Sequence, residues 1–126
     1  MLLTVVADAQ ETHDVVLERL SKVEYFAFGP TGFAGVRSQG EQDYRLILSR
    51  PSAKADFEKL YSQGDPQART YALVGIHKLN SKRFAELLPI LRVSKEEITT
   101  ERGCIISSEL LKEIVKQVQG GRYEPD

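Results

Sequence analysis

Apolar residues recur at helical spacing along most of the chain, and the densest such stretch lies in its middle. Asp65 can accept hydrogen bonds from the first free amides of a helix, and Pro66 lacks its N–H where no intrahelical partner exists. Residues 71–76 are nearly all apolar and cover most of the helix circumference. A helix of this kind needs neighbours on most sides. The pattern therefore predicts a central helix over 65–79, enclosed by the rest of a mostly helical domain.

Five further segments place apolar residues on one helical face, next to residues that can begin or end a helix. Asp8 with Glu11 and Ser38 with Glu41 match the capping-box pattern. Pro89 is expected to kink or finish the helix that contains it, since proline cannot donate a backbone hydrogen bond. The predicted segments are 9–23, capped by Asp8; 38–49; 51–64, which ends at Gly64; 81–89, capped by Ser81; and 110–120.

Two segments do not fit a helix. Residues 25–36 alternate aromatic residues with glycines, which weaken helices and strands alike, so we expect a compact loop pinned by buried rings. Residues 97–106 are rich in branched side chains and could form a small two-stranded β-ribbon. The predicted fold is therefore mostly α: a compact bundle of about six short helices in helical-hairpin, repeat-like packing, with a small β-ribbon near 97–106. No sequence period accompanies this packing.

Composition narrows the class of protein. A chain of 126 residues with 41% hydrophobic and 28% charged residues is ordinary for one globular domain. We assign that domain to 9–120, with residues 1–8 as a flexible N-terminus or signal remnant and 121–126 as a frayed tail. The formal net charge of −1 argues against binding to nucleic acid, and the composition argues against a membrane span.

The N-terminus leaves the compartment open. Residues 7–9 have the small-x-small form of a signal-peptidase site, but the apolar run before them is short and no Lys or Arg precedes it. The protein is expected to be cytoplasmic, or periplasmic if residues 1–9 are the tail of a signal peptide.

Cys104 is the first candidate for chemistry, because a thiolate nucleophile needs a neighbouring base and His77 or His13 could supply one. The alternative, which we favour, is that Cys104 is a small buried hydrophobic residue and that His77 is a cation favoured at a helix C-terminus. A single cysteine excludes an intramolecular disulfide and a zinc site of several thiolates. The histidines show no metal-ligand spacing, so neither a metal nor a cofactor is predicted.

Arg69, in the first turns of the central helix, could present its guanidinium to a carboxylate or phosphate ligand. We favour a structural ion pair, with Glu97, Glu101 or Glu41 as the partner. The neighbouring carboxylates Glu96 and Glu97 are interpreted as part of a solvated face.

The aromatic and glycine-rich loop 25–36 is the best candidate for a binding site. Glycines let a backbone approach a partner closely, and exposed rings make efficient contact surface. The loop lacks the Lys and Ser/Thr ending of a phosphate-binding loop, and a loop that only plugs the core is the alternative. The predicted binding residues are Phe28, Gly29, Gly32, Phe33, Arg37 and Arg69.

Two motifs resemble those of a group of small bacterial proteins without an assigned activity. The first is the Arg-x-Tyr-Ala-Leu helix at 69–73, and the second is the Gly-Cys-Ile segment at 103–105. The loop 28–35, followed by Ser38 and Glu41, fits the same pattern. The resemblance covers roughly 26–120 and implies a bacterial origin and a shared fold, but no reaction.

Two hypotheses for the function follow. The first is a non-catalytic module of the immunity, inhibitor or adaptor type, which binds another protein through loop 25–36. The second is a small hydrolase or transferase that uses Cys104 and His77.

Overall fold

The computed structural model describes residues 14–32 and 35–123, which form six helices and two antiparallel two-stranded ribbons. The helices are α1 (Val15–Ser21), α2 (Gln39–Leu48), α3 (Ala53–Gln63), α4 (Pro66–Leu79), α5 (Ser81–Arg92) and α6 (Leu111–Gln119). The strands are β1 (Pro30–Thr31), β2 (Val36–Arg37), β3 (Glu97–Arg102) and β4 (Ile105–Leu110). The prediction of a mostly α bundle with a small ribbon is confirmed.

Helix α4 is the centre of the fold, as predicted. A side-chain oxygen of Asp65 accepts a hydrogen bond from the Ala68 N–H at 2.8 Å, and Pro66 occupies the first turn. Leu73 and Ile76 are only 1% and 3% exposed. The helix contacts every other helix and strand β3, which explains why its sequence is apolar almost all round.

Helices α3 and α4 pack side by side and follow each other through a tight turn at Gly64 and Asp65. Gly75 of α4 lies directly against the ring of Phe57: a Cβ atom built at Gly75 would be 2.4 Å from Phe57 Cε2. Phe57 is fully buried. The glycine therefore lets two helices pack with an aromatic ring between them.

Five aromatic rings form a cluster beneath the loop 25–36. Phe28 lies between the others, with ring centroids at 5.2 to 5.4 Å from those of Phe26, Tyr44, Tyr71 and Tyr123. The Tyr71 hydroxyl donates to the Ala27 carbonyl at 2.7 Å and accepts from the Ala27 N–H at 3.0 Å. The loop is thus tied to the central helix by its rings and by its backbone.

Two of the predicted helices have wrong boundaries. Asp14 is extended and caps α1, so a continuous helix over 9–23 is interrupted there; the predicted Asp8–Glu11 cap lies outside the described residues. Asn80, not Ser81, caps α5, and that helix continues through Pro89 to Arg92. The missing proline N–H removes one hydrogen bond, and burial of Leu91 against the core is sufficient to extend the helix by another turn.

The interpretation of residues 121–126 as a frayed tail does not fit Tyr123. Its side chain is 5% exposed, and its hydroxyl contacts Arg102 Nη2 at 3.0 Å and the Gln117 side chain. The chain after α6 therefore returns to the core and packs against β3.

Candidate functional site

The β3–β4 hairpin leaves one strand edge without a pairing partner among the described residues. Its strands pair antiparallel, from Glu97 opposite Leu110 to Arg102 opposite Ile105. The two-residue loop between them begins with Gly103 at φ +61°, a conformation that glycine adopts without strain. The predicted ribbon is confirmed, but it extends to Leu110 and is longer than the sequence indicated.

Hydrogen bonds to the 25–36 loop define which way each residue of the hairpin faces. The Phe26 N–H donates to the Thr99 carbonyl at 2.9 Å, and the Phe26 carbonyl accepts from the Glu101 N–H at 3.1 Å. Thr99 and Glu101 therefore direct their backbone groups away from β4. In an antiparallel pair the residues opposite them must do the same, so Ile106 and Ser108 direct theirs away from β3.

The outer edge of β4 is exposed and largely apolar. Within residues 14–32 and 35–123, β4 pairs with β3 alone, whereas β3 is covered on both sides. Ile105 and Ile106 are 68% and 53% exposed, and Leu110 is 38% exposed. A strand edge of this length, without a lysine, a proline or a bulge to block it, can pair with another chain.

A polar network holds the inner face of the hairpin against α6. Arg102 donates from Nε and Nη2 to the two carboxylate oxygens of Glu109, at 2.7 and 3.0 Å. The same guanidinium contacts Gln117 and Tyr123, and Thr100 donates to Glu109. The hydrogen bonds from Arg102 lower the pKa of Glu109, so the pair is ionised at neutral pH. The network ties β4, through Glu109, to Gln117 of α6 and to Tyr123.

The 25–36 loop lies beside this hairpin and is anchored by Glu41. The Gly32 N–H donates to the Gly103 carbonyl at 3.0 Å, which joins the loop to the hairpin turn. Glu41 is 2% exposed; it accepts from the Gly29 N–H at 2.8 Å and pairs with Arg37 at 3.3 Å and Arg45 at 2.8 Å. Ser38 caps α2 as predicted, but the Glu41 carboxylate serves the loop instead of completing the capping box.

The structure brings only part of the predicted binding set together. Phe28 is partly buried and packs within the aromatic cluster, so most of its contacts are with the core. Gly29 and Arg37 meet at Glu41, and Gly32 lies at the hairpin turn. Phe33 falls outside the described residues.

Arg69 lies apart from that group and pairs with Glu96, at 2.6 Å between Nη2 and Oε2. The predicted partners Glu97, Glu101 and Glu41 are wrong in each case, and so is the interpretation of Glu96 as merely solvated. Glu96 precedes β3, and its carbonyl accepts from the Leu111 N–H. The pair therefore connects the central helix to the start of the hairpin, which is the structural role that we favoured.

Cys104 is exposed in the hairpin turn, so the expectation of a buried thiol is wrong. A turn residue beyond the last strand pair projects past the core, which the neighbouring isoleucines do not reveal in the sequence. The His77 ring packs edge-on against Phe84 of α5, with centroids 4.9 Å apart. His13 lies outside the described residues. The two candidate catalytic residues thus belong to different parts of the fold: a hairpin tip and a helix–helix contact.

Native protein is therefore expected to react with a disulfide reagent at a rate within about tenfold of that of a small free thiol. Absorbance of the released thiolate measures this rate, and Cys104→Ser is the blank. Reaction only after addition of denaturant would contradict the exposed position. Fast reaction follows from exposure alone, so it does not indicate a catalytic thiol.

Residues outside the predicted set also form the site. Ile106 and Ser108 define the open edge, and Glu41 and Glu96 orient the segments beside it. The sequence did hold a signal for Glu41, because Arg37 and Arg45 lie four residues to either side of it. Among the described helices none is long and apolar enough to cross a bilayer. The same residues contain no cluster of three metal-ligating side chains.

Comparison of the chain with protein-family models, with curated proteins and with solved structures gives no match. The resemblance to small bacterial proteins, based on residues 69–73 and 103–105, stays a prediction.

Proposed function

We propose that this protein is a non-catalytic binding module of the immunity, inhibitor or adaptor type, and that it recognises another protein through the β3–β4 hairpin and the adjoining loop 25–36. The observation that supports this most is the open edge of β4. Six residues with exposed isoleucines and unpaired backbone groups offer both apolar contact and hydrogen bonds to a partner.

The position of loop 25–36 supports the same proposal. The rings of Phe26 and Phe28 pack against the core, but Val36 is 60% exposed and the Gly32 N–H is bonded to the hairpin turn. The contact surface that we propose therefore comprises Gly32 and Val36 of the loop together with the β4 edge, and the partly buried Phe28 supports the loop from the core side.

Replacement of an exposed apolar residue at the β4 edge by a charged one tests this function. Ile106→Lys places a charge at the centre of the proposed surface, and Ile90→Lys does the same on α5, where Ile90 is 66% exposed. Tagged wild-type protein and both variants are used to capture proteins from a lysate of the source organism, followed by quantitative mass spectrometry. We expect a protein that wild type and Ile90→Lys retain equally and that Ile106→Lys loses by about tenfold, as for a central contact.

Thermal melts of the two variants provide the control for folding, since both positions are exposed and neither substitution should lower the melting temperature substantially. Equal capture by Ile106→Lys and Ile90→Lys would refute the hairpin as the binding surface.

A further inference from the structure

The open β4 edge also indicates what kind of segment would bind to it. Ile106 and Ser108 each direct an N–H and a carbonyl outward, and the residues that alternate with them, Ile105, Ser107 and Glu109, face β3. A segment that satisfies these groups must itself be extended, because only an extended chain matches the two-residue repeat of a strand edge. The unpaired groups therefore select strand addition over the docking of a helix.

The outer face of the hairpin is acidic. Alternation along the strands places Glu97, Thr99 and Glu101 of β3 on the same face as Ile106 and Ser108 of β4. Glu97 is exposed and accepts a hydrogen bond from the Ser108 hydroxyl at 2.9 Å. The one basic residue of the two strands, Arg102, lies on the opposite face and is paired with Glu109. The outer face thus has carboxylates without a cation among them.

A third strand beside β4 would lie about 10 Å from β3, which is two strand spacings. Ser108 is short, so a long cationic side chain on the added strand can extend over it toward Glu97. On the inner face the added strand would instead lie next to Ile105, which is 68% exposed, and Ser107. An apolar side chain suits that position.

We propose that β4 binds an extended segment of a partner protein in which cationic and apolar side chains alternate, with the cationic ones over Glu97 and Glu101. This inference rests on the proposed function, because it names the partner chemistry of the same surface. The backbone groups of Ile106 and Ser108 supply the hydrogen bonds, and the acidic face selects the sign of charge.

The test titrates isotope-labelled protein with an eight-residue capped peptide of alternating lysine and valine, and with its glutamate–valine counterpart. Chemical shifts give the Kd, and amide hydrogen exchange reports the pairing. In free protein the amides of Ile106 and Ser108 are expected to exchange fast, because their N–H groups point away from β3. The lysine peptide is expected to slow both by about tenfold or more, and to bind about tenfold tighter than the glutamate peptide at low salt.

Three variants separate the contribution of the backbone N–H from that of the acidic face. Ser108→Pro removes the outward N–H and leaves the bonds between β3 and β4 in place, so it should weaken peptide binding by about tenfold, whereas Ser108→Ala keeps the N–H and should bind as wild type. The double variant Glu97→Gln with Glu101→Gln should abolish the preference for the lysine peptide.

Equal binding of the two peptides, or wild-type binding by Ser108→Pro, would overturn the inference. Protection of the Ile106 and Ser108 amides that grows with protein concentration in the absence of peptide would also overturn it. A second copy of this chain would then occupy the β4 edge. If Ile106→Lys loses the captured protein and Ser108→Pro keeps it, the inference fails and the proposed function stands. If neither substitution affects capture, both fail.

Discussion

Replacement of Tyr71 by alanine is expected to lower the free energy of unfolding by about 4 kcal/mol, the cost of truncating a fully buried aromatic side chain. The Tyr71 ring is 0% exposed and lies 4.9 Å from the ring of Phe26 and 5.4 Å from that of Phe28. Its removal leaves a cavity beneath loop 25–36 and breaks both hydrogen bonds to Ala27. Urea denaturation followed by circular dichroism measures the change.

Tyr71→Phe separates the ring from the hydroxyl. It keeps the packing but leaves the buried Ala27 N–H without its partner, whereas the Ala27 carbonyl still accepts from the Ser38 hydroxyl at 3.1 Å; the loss should cost about 1 to 3 kcal/mol. A loss in Tyr71→Ala no greater than that in Tyr71→Phe would mean that the ring contributes nothing to the core.

The pH dependence provides a second check on the hydroxyl. Burial raises the pKa of Tyr71 to about 12, because the phenolate would be poorly solvated. The folded pKa lies above the unfolded value of about 10, so the folded state holds the proton more tightly. This contribution is complete below pH 10 and is lost as the pH rises toward 12. Tyr71→Phe has no hydroxyl to ionise, so its free energy of unfolding should fall less than that of wild type between pH 10 and 12.

Local signals were sufficient to predict most of the fold. Asp65 with Pro66, Ser38 and the Gly64 stop act within one helical turn, so the sequence near each of them contains the cause of the boundary. The burial of Leu73 follows from the apolar residues that cover nearly all sides of its own helix, since such a helix must be enclosed. Pro89 shows the limit, since tertiary burial of the residues after it overrides a local preference.

The candidate site was predictable only in part, because its features depend on which segments meet. Which carboxylate approaches Arg69 is decided by the path of the chain between α5 and β3, and Glu96 differs from Glu97 only by its place on that path. The outer edge of β4 is likewise unpaired because the Phe26 backbone bonds to β3 and not to β4. Neither fact is encoded in the spacing of nearby residues.

Gly75→Ala is expected to destabilise the protein by about 2 kcal/mol. In an exposed helix this substitution would stabilise by up to about 1 kcal/mol, but here the new Cβ would lie 2.4 Å from Phe57 Cε2. The Phe57 ring cannot retreat easily, since it is fully buried and its centroid is 5.5 Å from that of Tyr44. Overpacking should therefore outweigh the gain in helix propensity. The same urea denaturation measures the result.

A double-mutant cycle with Phe57→Leu identifies the ring as the cause. Leucine is smaller at the point of contact, so Gly75→Ala in that background should cost little or stabilise, with a coupling energy of about 2 to 3 kcal/mol between the two sites. If the cost of Gly75→Ala is the same in both backgrounds, the ring is not what requires glycine. If Gly75→Ala stabilises the otherwise unaltered protein, α3 and α4 do not approach as closely as the position of Phe57 indicates.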